Sequence, residues 1–319
     1  MADLKQTVLV TGGSGLVGNG VRLAIPETEI AGTLNFVFLS SKDCDLKKLH
    51  EVEKIFDMYR PTYVLHLAAQ VGGLYKNMRE KVEFFENNVI MDMNVLRCSR
   101  KFEVKKVVSC LSTCIFPDAV EYPIDEKKLH LGPPHASNEG YAYAKRMLDV
   151  LSRAYREQYK LNCTTVIPTN VYGPFDNFNL RDGHVAPSLI HKCYLATQRS
   201  EPFVIRGSGK PLRQFIYSVD LGKLLLWVLC NYDDGEPIIL SVPEEDEVSI
   251  AQLAQTIATA YGFSGKVEFD LQFADGQYKK TACPSKLLGL IDNFKYTPIA
   301  TGIKSTVEWF VANFDVCRK

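Results

Sequence analysis

The run Thr11-Gly12-Gly13-Ser14-Gly15-Leu16-Val17-Gly18 follows directly on the apolar stretch Thr7–Val10, and few folds accommodate it. Glycines at 12, 15 and 18 let a strand turn tightly into a helix, admit a pyrophosphate close to the backbone and allow the helix to pack on the sheet. The helix start then faces a diphosphate with unpaired N–H groups and the positive end of its dipole. This spacing predicts a dinucleotide site over Gly12, Gly13, Ser14, Gly15, Leu16, Val17 and Gly18.

The pattern beyond the loop is α/β. Apolar strands are expected at Thr7–Val10, Asn35–Leu39, Tyr63–Leu67, Val107–Leu111 and Thr164–Pro168, with helices starting near Gly15, Leu46, Glu80 and Ala142. Together they imply a Rossmann-type, doubly wound parallel sheet. Later segments read as helices over Ala186–Thr197, Asp220–Leu229, Ile250–Tyr261 and Ile303–Phe314, and Ser249 with Gln252 forms a capping-box pattern. At 319 residues two domains are expected. The division predicted is a dinucleotide-binding domain over 1–172 and a smaller, mainly substrate-binding α/β domain over 173–319, with the chain crossing back after the boundary.

Charge and cysteine usage narrow the partners. Lys plus Arg and Asp plus Glu both total 37, so no nucleic acid or anionic membrane partner is expected. No apolar run approaches membrane-spanning length; Leu221–Leu229 is short and interrupted by Gly222 and Lys223. Nine cysteines without a regular framework suit a reducing compartment, and the sequon Asn162-Cys163-Thr164 is read as chance. The opening Met1-Ala2-Asp3-Leu4-Lys5-Gln6 lacks the apolar core of a signal peptide. A cytoplasmic protein without a metal site is the expectation.

The second strand ends in Ser40-Ser41-Lys42 where an NAD-preferring site usually carries a carboxylate on the ribose 2′-hydroxyl. Hydroxyls and an ammonium suit a 2′-phosphate, so NADP(H) is the predicted cofactor; Asp43, Asp45 and Leu46 follow toward the adenine edge. Further along, Tyr141-Ala142-Tyr143-Ala144-Lys145 places Tyr141 and Lys145 on one helix face, whereas Tyr143 has Met147 at its fourth position on. An ammonium beside a phenol of ordinary pKa about 10 favours the phenolate. Ser112 at a strand end precedes this pair, as a carbonyl-orienting group would.

The glycine loop, Ser112, Tyr141 and Lys145, in that order, resemble the extended short-chain dehydrogenase/reductase family over essentially the whole chain. His66-Leu67-Ala68-Ala69 matches its segment under the cofactor, and Pro168-Thr169-Asn170-Val171-Tyr172-Gly173-Pro174 its strand meeting cofactor and substrate. Gly207–Gly209 with Arg213, Phe215 and Asp220 matches the sugar-nucleotide segment. In detail the chain is similar to the branch that epimerises C3 and C5 of GDP-4-keto-6-deoxy-D-mannose and then reduces C4 with NADPH, releasing GDP-L-fucose.

That resemblance implies Cys114, two residues after Ser112, and His184 in Asp182-Gly183-His184-Val185 as the base and acid of epimerisation. A Cys after a buried strand is otherwise a small packed hydrophobe, and a His before a helix is often a cap. The resemblance further implies cofactor contacts from Ala68, Ala69, Lys145, Pro168, Thr169, Asn170, Val171 and His184, and a homodimer. It places the GDP-sugar substrate on Ser112, Asn170, Lys192, Arg206, Arg213, Asp275 and Lys286. Arg206 departs from the Trp expected before the Gly-x-Gly turn. Related dehydratases carry Asp-Glu where this chain has Thr113-Cys114, and a simple 4-epimerase has no use for a Cys–His pair. A non-catalytic NADPH sensor would be expected to lack a member of the Ser–Tyr–Lys set.

Overall fold

The computed structural model describes residues 5–273, 275 and 277–319. Met1–Leu4, the first part of the segment expected to lack a signal-peptide core, lie outside the described residues.

Strand and helix alternate through β1 (Thr7–Thr11), α1 (Leu16–Ala24), β2 (Asn35–Phe38), α2 (Leu49–Tyr59), β3 (Tyr63–His66), α3 (Leu74–Arg79), α4 (Lys81–Lys101), β4 (Lys106–Cys110), α5 (Glu139–Tyr159) and β5 (Asn162–Pro168). Beyond them come β6 (Asn170–Tyr172), α6 (Val185–Arg199), β7 (Phe203–Arg206), β8 (Leu212–Arg213), β9 (Phe215–Tyr217), α7 (Ser218–Asn231), β10 (Ile238–Leu240) and β11 (Val248–Ser249). The chain closes with α8 (Ile250–Tyr261), β12 (Val267–Asp270), α9 (Ser285–Leu288) and α10 (Ile299–Ala312).

Six strands form one parallel sheet in the order β10-β5-β4-β3-β1-β2. Its strands read as continuous apolar runs because both faces are covered. Val8, Val10, Leu65, Val108 and Val166 point to one face, against Val21 of α1 and Leu221, Leu224 and Val228 of α7. Leu9, Val64, Val107 and Ile167 point to the other, with Phe56 of α2, Val95 and Leu96 of α4 and Leu148 of α5. A third core gathers Tyr172, Phe178, Leu189, Phe203, Ile257, Ile303 and Phe310 around α6, α8 and α10.

After β6 the chain builds α6, β7 and β8, then returns through α7 and β10, whose Ile238–Leu240 pair with Val166–Pro168. It leaves again for α8, whose capping box between Ser249 and Gln252 is complete. Among the described residues no helix is long and apolar enough to cross a membrane, and no cluster of His, Cys, Asp and Glu could hold a metal ion.

Candidate active site

Because β1 leads outward to β2 and the chain then returns to β3 on the other side of β1, a crevice opens above their C-terminal ends. The glycine loop fills this switch point. Gly12 has φ +69°, and a Cβ there would lie 2.8 Å from the Ala68 nitrogen. One on Gly18 would stand 2.5 Å from the Gly12 carbonyl oxygen, inside van der Waals contact. The N-cap of α1 is Gly15 and no side chain caps it, so its first N–H groups face the crevice. Half-buried Ala68 and Ala69 follow β3 at the same edge. This is a cradle that side chains would fill, and it fits a dinucleotide diphosphate.

At the end of β2, Asp43 Oδ2 accepts both the backbone N–H and the hydroxyl of Ser40 at 2.7 Å. These bonds hold the Asp43 carboxyl below the usual range. The Ser40 hydroxyl expected on a 2′-phosphate is therefore engaged within its own turn, while Ser41 and Lys42 stay exposed. Asp45 accepts the Lys47 N–H and donates its own to Glu51, and the Leu46 carbonyl accepts from Asn94 at 2.9 Å.

Ser112 follows β4 and caps the short turn Thr113–Ile115, its Oγ accepting the Cys114 N–H at 3.4 Å. The hydroxyl proton remains free to donate. Buried Arg146 of α5 donates to the Ile115 carbonyl at 2.6 Å, tying the Cys114 turn to the helix that carries Tyr141 and Lys145. Phe84 meets the Tyr141 ring edge-on at 6.3 Å and fixes its plane. Tyr143 instead lies under the Arg146 guanidinium, at 5.6 Å.

Electrostatics correct one expectation. Burial, then the Cys114 and Cys110 thiols and Asp92, hold Tyr141 well above the ordinary phenol range. The Lys145 ammonium lies 3.5 Å from Asp92 and is shared with that carboxylate. The phenol keeps its proton, which suits a proton donor.

His184 precedes α6 in a loop built from side-chain turns. Asn177 accepts the Asn179 N–H, and Asn179 accepts those of Arg181 and Asp182. The Asp182 carbonyl takes the Gly73 N–H at 2.9 Å, fastening the loop to the start of α3, an element absent from the sequence expectation. The imidazole makes no cap bond to α6. It is exposed, yet the surrounding protein holds its proton affinity below an ordinary histidine's.

Pro168 and Thr169 are buried where β5 meets β6, and half-buried Asn170 and Val171 follow. The Asn170 amide donates to the Gln214 carbonyl at 2.9 Å. Arg213 is half-buried, and burial lowers its proton affinity against the pull of Glu247. Lys192 and Arg206 line an open depression of ≈ 440 Å³ with Leu195, Val204 and Phe273, and the Arg206 guanidinium stacks 4.5 Å above the Phe273 ring.

Two expected substrate ligands are employed otherwise. Asp275 spends both oxygens on Ser208, at 2.8 and 2.6 Å, and so braces the Gly207–Gly209 turn. Lys286 donates to the Pro237 carbonyl at 3.0 Å, ahead of β10 and hence at the opposite edge of the sheet from the glycine loop. A further cation near Cys114 and Arg213 is Lys280, close enough to both and to Asp118 to feel their charge. It is placed there by the pairing of Ile124 with 281–283 and by Gln277 donating to Asp118 at 2.7 Å. One of two adjacent lysines in a polar stretch, Gln277-Tyr278-Lys279-Lys280, carries no signal that would have singled it out.

The model of the NAD dependent epimerase/dehydratase family matches residues 8–242. GDP-L-fucose synthase of Dictyostelium discoideum is 56% identical over 315 residues, covering 99% of this chain and 98% of that relative. Probable GDP-L-fucose synthase of Drosophila melanogaster is 46% identical over 98% of this chain and 100% of its own length. Among solved structures, a GDP-L-fucose synthetase from Naegleria fowleri bound to NADP superposes with TM-score 0.94 at 54% identity, covering 98% of this chain and 95% of its own. The chain therefore belongs to the NAD-dependent epimerase/dehydratase family, in the branch of the GDP-L-fucose synthases.

Proposed function

We propose that this chain converts GDP-4-keto-6-deoxy-D-mannose to GDP-L-fucose, epimerising C3 and C5 and then reducing the C4 ketone with NADPH. The observation that carries the reading is the turn that holds Ser112 and Cys114, tied by Arg146 to the helix that carries Tyr141 and Lys145. Full-length similarity to GDP-L-fucose synthases supports it.

A 4-keto sugar carries weakly acidic protons at C3 and C5. Ser112 and Tyr141 hold the carbonyl oxygen and stabilise the enolate that forms when one is removed. Cys114 takes the proton on one face and His184 returns one on the other. Gly12–Gly18 would hold the diphosphate of NADPH, Lys145 its nicotinamide ribose and Ser41 and Lys42 its 2′-phosphate, and the bound cofactor would supply the hydride for C4. Tyr141 then gives its proton to the C4 oxygen. Arg213 and Lys280 hold the diphosphate, and Lys192, Arg206 and Asn170 the rest of the GDP-sugar.

In this reading residues 1–172, with α7 and β10 returning to them, are the cofactor domain, and most of 173–319 the substrate domain. The protein acts in the cytoplasm as a homodimer. Support for the dimer comes from exposed Val82, Phe85, Ile90 and Met93 along α4, beside Met147 and Val150 of α5. Incubation with the keto sugar-nucleotide and NADPH tests the function: GDP-L-fucose and loss of reduced-nicotinamide absorbance are expected. A product unchanged at C3 and C5 would contradict it.

A further inference from the structure

A buried polar chain runs beneath the site from the glycine loop to Lys145. The Thr11 Oγ1 accepts the backbone N–H groups of Leu67 and Ala68, both at 3.2 Å. Its own proton therefore points to His66 Nδ1, 2.8 Å away. With Nδ1 accepting, His66 carries its proton on Nε2 and donates it to Asp92 Oδ1 at 2.8 Å. The same carboxylate lies 3.5 Å from the Lys145 ammonium. His66 is fully buried, Asp92 2% exposed and Lys145 1% exposed, so no water screens these contacts. Asp92 Oδ2 is also buried and has no partner among the described residues, which leaves an acceptor in reserve for the ammonium.

We infer that Asp92 is a positioning residue for reduction: oriented by His66 and Thr11, it holds the Lys145 ammonium and keeps the proton on Tyr141 until the C4 oxygen takes it. The relay fastens α4 and α5 to the ends of β1 and β3, so one carboxylate ties cofactor floor and proton donor into one unit. Tyr141 is faced by Cys110 from β4, Cys114 from the following turn and Asp92 from α4, with Lys145 on its own helix, and each of the first three opposes its ionisation. The inference rests on Tyr141 being the proton donor proposed above.

The pH dependence of NADPH oxidation by the keto sugar tests it, in the full-length protein. Asp92→Asn removes the charge at nearly constant shape. It should lower kcat about tenfold or more and move the basic limb of the profile about one unit toward lower pH, with little change in KM for NADPH. Asp92→Glu restores the charge and should leave the limb in place. A limb unmoved in Asp92→Asn, with activity lost only in proportion to thermal stability, would reduce Asp92 to a structural residue. A second measurement on the wild type needs no substitution: the ¹⁵N shifts of His66 should report the Nε2–H tautomer. An Nδ1–H tautomer would break the chain of donors and overturn the proposal even if Asp92→Asn does not fold. Should the wild type reduce no ketone, the functional reading fails, and the tautomer still decides the network.

Discussion

Lys42 stands exposed beside Ser41 at the end of β2, with Ser40 already bonded to Asp43. Replacing Lys42 by Ala should weaken NADPH far more than NADH. A charge-assisted contact of roughly 1.5–3 kcal/mol corresponds to about a tenfold to hundredfold loss. Titrations with both cofactors check this, and an equal loss would assign Lys42 to the fold. Tyr141→Phe should nearly abolish NADPH oxidation with cofactor binding kept, whereas Tyr143→Phe, altering a ring that lies under Arg146, should be mild. The choice between the neighbouring tyrosines was legible because only Tyr141 has a lysine one turn on. The choice between Lys280 and Lys286 was not, because the pairing of Ala282 with Ile124 and the start of α9 at Ser285 decide which edge of the sheet a lysine reaches. The two proposed acids also titrate apart. His184 lies below the ordinary histidine range, and Tyr141 above that of phenols. As an acid His184 must carry a proton, so C3 and C5 exchange, followed by NMR with NADP⁺ present, should fade with rising pH before reduction does. Exchange that outlasts reduction at high pH would remove His184 from that role.

Elements follow the apolar period, and their ends follow packing. The sequence pattern starts α5 near Ala142 and α10 at Ile303, each within two residues of a glycine, but the helices begin at Glu139 and Ile299. Gly140 and Gly302 sit inside because added Cβ atoms would meet the Lys81 carbonyl and the Tyr172 hydroxyl, both at 2.2 Å. A glycine demanded by a distant neighbour looks, in sequence, like a helix breaker. The loop after β6 holds another such hidden constraint. Asp176 is buried with Oδ2 unpartnered among the described residues, and burial raises its pKa from 3.8 to about 7, against the Asn177 N–H and Arg318. The folded state then binds more protons than the unfolded between those values, so stability should fall as pH rises through that window. Asp176→Asn should flatten the decline, recovering at most about 4 kcal/mol above it. Melting temperatures on both sides of neutrality read this, and parallel declines in the two proteins would contradict it.

For the whole molecule, the sheet was legible from the order of apolar runs, whereas the place of α7 and β10 in it was not. Strand β10 is three residues long, too short to announce itself, and its place beside β5 depends on pairing that no local pattern encodes. The proposed dimer has a direct check: Phe85→Glu, which puts a charge on the exposed apolar stripe of α4, should shift sedimentation to the monomer, and an unchanged profile would move the interface elsewhere. The central claim is that one cleft performs two separable reactions, with Cys114 needed for the first alone. Cys114→Ser replaces a thiol with a hydroxyl, a far weaker acid of similar size. NMR of the products formed from keto sugar-nucleotide and NADPH in deuterated water tests the claim most directly. Wild-type product should carry deuterium at C3 and C5, whereas Cys114→Ser should give, slowly, a 4-reduced sugar without it. Normal deuterium incorporation and normal GDP-L-fucose from Cys114→Ser would contradict the account.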